Sequence, residues 1–189
     1  MRAPRMVAAA LLLALVPAAA CRHAQDGGSA EARVAPGGRV RLVEGAVQVA
    51  GSEPGVFVQL QPADGGAPLR LAGPLSPELR RLGGATVRVH GPTDRTGPGD
   101  GIAVTGYEVL GVDGRRPEVG VLAVEAGSVR LLPADSAGAA TAAGGAGLVL
   151  ADPQGTLARL AGAKVWVLVD TSTTPARVQS YGVLRDAGK

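Results

Sequence analysis

The side chains that could hold a metal, move a proton or attack a carbon stand apart in this chain. Acids come singly: Glu44, Asp64, Glu78, Asp94, Asp100, Asp113, Glu125, Asp135 and Asp152. No pair of them has a spacing that gathers carboxylates round a divalent ion or a glycosidic bond. His23 and His90 are the only histidines, and Cys21 is the only cysteine. An internal disulfide, a cysteine-based zinc site and a histidine-rich metal site are therefore excluded. No serine has a histidine near it in sequence. The patterns of the nucleophile elbow, the zinc metalloprotease helix and the phosphate loop are missing. The expectation is a protein that is not an enzyme and carries no cofactor or metal.

A few polar residues have plainer roles. Asp64 and Asp135 both follow Pro-Ala and read as turn residues capping backbone N–H groups. Asp94 and Asp100 lie in the loop 93–101 (TDRTGPGDG), which lacks the ligand spacing and closing Glu of a calcium loop and reads as a solvated hairpin. His90 reads as a surface residue. Tyr107 and Tyr181 sit at equivalent places in two similar segments, which suits a barrel-end position with the hydroxyl on a backbone partner.

Binding chemistry is the stronger signal. Phe57 alternates with Val56, Val58 and Leu60, so it shares its face with Gln59 and Gln61. Neighbouring strands would add Arg70 and Arg88 to that face, each flanked by inward Leu or Val. Trp166 lies between inward Val165 and Val167 and so points outward. The expectation is that Trp166 packs between two halves of the molecule, against Phe57 or the linker near Arg116 and Pro117. The alternative is that it joins Phe57, Gln59, Gln61, Arg70 and Arg88 in a ligand-binding face.

The elements that must position these residues come from an internal repeat, which decides the architecture. Residues 58–64 (VQLQPAD) match 129–135 (VRLLPAD), and 69–72 (LRLA) match 148–151 (LVLA). Residues 79–89 (LRRLGGATVRV) match 157–167 (LARLAGAKVWV), and 104–110 (VTGYEVL) match 178–184 (VQSYGVL). The four blocks recur in one order, separated by segments of different length, as surface loops permit. In the first copy, alternation gives strands over 40–49, 56–61, 69–71, 86–90 and 102–112, with a helix near Pro77–Leu82. The second copy reads as strands over 119–125, 128–132, 147–150, 164–169 and 177–184, with a helix around 156–160. The Ala/Gly tract 137–147 lengthens one turn of the second copy.

Three strands, a helix and two strands resembles the order of the OB-fold, a five-stranded, partly open Greek-key barrel. The resemblance implies an all-β chain with short helices, built as two tandem OB-like five-stranded barrels by duplication. One spans 39–114 and the other 118–186. The rival is a single ten-stranded sandwich, disfavoured because each copy carries its own helix and its own alternating faces. In OB-folds the outer face of strands two and three is the usual binding surface, which points again to Phe57, Gln59, Gln61 and Arg70.

The first 21 residues give an address. Arg2 and Arg5 precede an apolar run of eleven residues from Met6 to Val16, then small residues, then Cys21. A helix needs about 20 residues to span a bilayer, whereas a signal-peptide core needs about 7–15. Residues 18–21 (AAAC) resemble the lipobox of bacterial lipoproteins, although Ala18 replaces the favoured Leu. The resemblance implies a signal peptide over 1–20, a lipidated Cys21 bearing palmitate-like chains and a polar tether over 21–38. Arg22 after the cysteine implies, in Gram-negative members, the periplasmic face of the outer membrane. The same residues fit simple cleavage, which would leave Cys21 as a free thiol.

The formal net charge is +3, and loss of the leader would remove Arg2 and Arg5 but no acid. A near-neutral body with Phe57, Tyr107, Trp166 and Tyr181 as its only aromatics weighs against a nucleic-acid binder. The sequence therefore suggests a non-catalytic, membrane-anchored lipoprotein of the cell envelope that binds or scaffolds an envelope protein partner. Two other readings stay open: an accessory subunit of an envelope enzyme, and an OB-type binder of nucleic acid or oligosaccharide.

Overall fold

The computed structural model describes residues 39–97, 99–134 and 147–188. The leader, Cys21 and the tether lie outside the described residues, as do Asp135 and the tract up to residue 146. Both copies fall in one compact unit, residues 36–189.

The first copy contains β1 (Val40–Ala50), β2 (Phe57–Pro62), β3 (Leu69–Ala72), α1 (Ser76–Arg80), β4 (Thr86–Asp94), β5 (Gly101–Ala103) and β6 (Gly106–Gly111). Its strands close in the order β1-β2-β3-β5-β4, with β4 returning to β1 and β6 adding to β4. The second copy contains β7 (Glu118–Glu125), β8 (Ser128–Pro133), β9 (Leu148–Ala151), a 3₁₀ turn (Ala158–Leu160), β10 (Lys164–Asp170) and β11 (Ala176–Arg185). It closes as β7-β8-β9-β11-β10. In each barrel one pairing is parallel, β3 with β5 and β9 with β11, and the rest are antiparallel. These are two tandem OB-like barrels from one internal repeat, not a sandwich.

The backbone repeats as the sequence does. Gly84 donates to the Val47 carbonyl at 2.9 Å, and Gly162 to the Leu122 carbonyl at 2.7 Å. Both glycines have positive φ, +88° and +84°, which lets the chain reverse from helix or turn into β4 and β10. Gly45 faces Pro62, and Gly120 faces Pro133, at the same place in each first strand. A methyl group at either glycine would overlap the carbonyl oxygen of Gln61 or of Leu132. The barrel wall closes too tightly there for any side chain.

Alternation decides the interior. Val58, Leu60, Leu71, Val87 and Val89 fill the first barrel, capped by Leu79 and Leu82 from the helical segment. Leu122, Val129, Leu131, Val165 and Val167 fill the second, with Leu157 in the role of Leu79. Each such side chain contributes about 1.5–3 kcal/mol when fully buried. The first core also takes Leu184 from β11 and packs against Val119 and Trp166, so the second copy helps to cover it.

Two elements differ from the sequence reading. The strand expected over 102–112 is broken between β5 and β6. At the break Val104 donates to the Ala72 carbonyl at 2.8 Å and Thr105 to the His90 carbonyl at 3.0 Å, so the chain changes partners there. The second helix is only a 3₁₀ turn; Asp152 caps its start, its carboxylate accepting from the Thr156 and Ala158 N–H groups at 2.9 and 2.8 Å.

Candidate functional site

The outer face of β2 and β3 gathers four of the residues singled out from sequence. Gln59 stands opposite Arg70 in the β2–β3 register. The Arg70 guanidinium lies 5.8 Å from the centroid of the Phe57 ring, and Phe57 is 37% exposed. That separation is a cation–π contact. Gln59 donates to the Gln48 side chain at 2.8 Å, and Gln61 to the Gly66 carbonyl at 3.0 Å, tying the face to β1 and to the turn after β2.

Arg88 and Trp166 are placed elsewhere. β1 pairs with β2 on one edge and with β4 on the other, so Arg88 on β4 is a strand away from the Phe57 face. Its guanidinium bridges Glu44 and Glu108 from the flanking strands, at 2.6 and 2.8 Å, and Arg116 reaches Glu108 at 3.1 Å. The equivalent outer position of the second barrel is Trp166. Its indole lies flat on Gly182, its cross-strand partner, and is half-buried against the core of the first barrel. One barrel thus uses this position for a solvated ion ladder and the other for the joint between copies.

A groove of about 730 Å³ runs from the Phe57 face to α1, lined by Phe57, Arg70, Ser76, Pro77, Arg80 and Arg81, among others. Arg80 pairs with Glu53 at 3.1 Å and Arg81 with Asp186 at 2.7 Å. The sequence reading used these two arginines only as part of the repeat. The signal that marks them is a second and third cation beside Arg70, at the end of a short helix that has little room to hide them.

The joint between the barrels holds a buried charge cluster that the sequence did not reveal. Lys164 Nζ reaches Glu78 Oε2 at 2.8 Å, with only 4% and 6% of the two side chains exposed. The Tyr107 hydroxyl donates to the same oxygen at 2.5 Å, and Arg185 approaches Glu78 Oε1 at 3.5 Å. Lys164 Nζ also sits 4.6 Å from the Tyr107 ring centroid. Burial, and then the neighbouring carboxylate, push the Tyr107 phenol far above its ordinary value, so it stays a donor. Tyr107 therefore serves a carboxylate rather than a backbone group, while Tyr181 is 38% exposed. The available sequence clue was Lys164 itself, a lysine between Ala163 and Val165 in a chain whose only other lysine is Lys189.

The other polar residues are locally satisfied. Asp64 accepts from Gly66 N–H at 3.0 Å, as a turn residue does. Asp94 accepts from the Thr96 N–H and hydroxyl at 2.9 and 2.6 Å, and these bonds, with Arg70 adding a weaker pull, hold its carboxyl below its ordinary value. His90 lies over Gly106. Among the described residues no three His, Cys, Asp or Glu side chains gather as a metal site would. Compared with known proteins, the chain matches no family model, no curated protein and no solved structure.

Proposed function

We propose that the protein is an exported, lipid-anchored module of the bacterial cell envelope, held at the membrane through Cys21, that binds or scaffolds an envelope protein without catalysing a reaction. The observation that carries this reading is a pair of barrels locked through buried charge, presenting an exposed aromatic–arginine groove, behind a leader-like segment ending in Cys21. The most buried acid among the described residues, Glu78, is engaged by Lys164, Tyr107 and Arg185, which makes it a structural group. The groove offers donors and an apolar floor but no nucleophile paired with a base, which favours recognition.

The test is metabolic labelling with radioactive palmitate followed by membrane fractionation. The wild-type chain takes up label and sediments with membranes, whereas Cys21→Ala does neither. Identical fractionation with and without the thiol contradicts the anchoring.

A further inference from the structure

The groove between the β2–β3 face and α1 has an apolar floor and a cationic rim. Val56, Phe57 and Pro77 supply the first; Arg70, Arg80 and Arg81 supply the second. Its volume of about 730 Å³ falls in the range of sites that hold ligands, about 300–1,000 Å³. Among the described residues, no carboxylate comes within the 4.0 Å of an ion pair with Arg70, whose guanidinium lies over the Phe57 ring and against Gly97. Arg80 and Arg81 each hold one solvent-exposed carboxylate, Glu53 and Asp186.

We propose that this groove binds an acidic, extended peptide segment that carries an apolar residue beside its carboxylates. The proposal rests on the binding-module reading above. The apolar residue lies on Phe57 and Pro77, and one carboxylate takes the unpaired fork of Arg70. Guanidinium groups match carboxylates bidentately, and the ring behind Arg70 presents its fork in a fixed orientation. Further carboxylates exchange with Glu53 and Asp186. Such exposed pairs hold weakly, so the exchange is easy.

The surroundings disfavour other polyanions. Glu53, Asp94 and Asp186 lie close to the three arginines, so the groove has cationic forks without the broad positive field that a phosphate backbone requires. Phe57 is its single aromatic, which leaves no succession of rings for stacked bases. The site is a recess, whereas a membrane-binding surface must present its apolar groups outward.

The test is selection of a random octapeptide library on the full-length wild-type chain in detergent, with the same selection on Arg70→Gln. Arg70 is exposed, so unchanged thermal melting checks that this variant folds. The wild type is expected to enrich sequences with two or more acids next to an apolar residue. A synthetic consensus peptide then binds it about tenfold more tightly than it binds Arg70→Gln or Phe57→Ala, and more weakly in high salt. No enrichment, a consensus without acids, or equal affinity for Arg70→Gln overturns the proposal. Arg70-dependent binding to phosphatidylglycerol vesicles without peptide selection also overturns it and assigns the groove to a lipid surface. A chain that selects acidic peptides but takes no palmitate refutes the anchoring alone; one that is labelled but selects nothing refutes the groove alone.

Discussion

Lys164 on β10 reaches Glu78 on α1 at 2.8 Å, and each belongs to a different copy of the repeat. Neither has a charged counterpart in the other copy. Thr86 stands where the first copy would carry the lysine, and Thr156 where the second would carry the acid. The repeat therefore does not supply the pair twice. The pair belongs to the joint, and it makes each copy incomplete without the other.

The joint also depends on Trp166 resting on Gly182. An added methyl at Gly182 would lie within 2.5 Å of the indole nitrogen, so Gly182→Ala must push the ring off its seat. The expected result is red-shifted emission, easier iodide quenching and a lower melting temperature. Trp166→Ala should cost about 2 kcal/mol of stability. Emission in Gly182→Ala identical to wild type would mean that the indole does not lie there.

Gly45 and Gly120 should be equally intolerant of substitution. Alanine at either forces its methyl onto a carbonyl oxygen across the strand pair, and overpacking of this kind costs about 1–3 kcal/mol. Gly83→Ala is the control, since its methyl would meet nothing closer than 3.5 Å. Denaturant melts of the three variants check this. A penalty at Gly45 without one at Gly120 would break the structural equivalence of the two barrels.

Acid should loosen one surface contact. The hydrogen bond and charge of Arg81 hold the Asp186 carboxyl below its ordinary value of 3.8. A carboxyl with a depressed folded pKa adds stability above its unfolded value and loses it as pH falls through the folded one. Asp186→Asn should thus melt slightly below wild type at neutral pH, and the gap should close as pH falls below about 3.8. A gap that persists in acid would mean that the pair does not act through charge.

Most of the architecture was legible in the residues. Alternation at Val58/Leu60 and Val87/Val89 fixes two inner faces, and the glycine before each fourth strand, Gly84 and Gly162, marks the same reversal twice. The break at Val104–Thr105 was not legible, because the apolar pattern runs through a point where only the hydrogen-bond partners change. On the candidate face, Phe57, Gln59 and Arg70 could be joined because β2 and β3 are neighbours in sequence and in space. Arg88 looked equivalent from its flanking valines, but which strand lies between it and Phe57 is a property of barrel closure. Glu78 and Lys164 are 86 residues apart and lie in elements with no local sign of each other.

The central claim is that this buried pair closes two barrels into one body, and a double-mutant cycle tests it. Leaving a charge buried without its partner costs about 3–5 kcal/mol, so Glu78→Gln, which strands Lys164, should destabilise strongly, and Lys164→Met less, because Tyr107 and Arg185 still engage Glu78. The double variant removes both charges and should cost less than the two losses together by about 1–3 kcal/mol. Unfolding of the wild type, followed by indole fluorescence and by far-ultraviolet circular dichroism, should give one coincident transition. Single losses of the size of an exposed pair, below about 1 kcal/mol, or strictly additive losses, would contradict the account and leave the barrels as two independent domains.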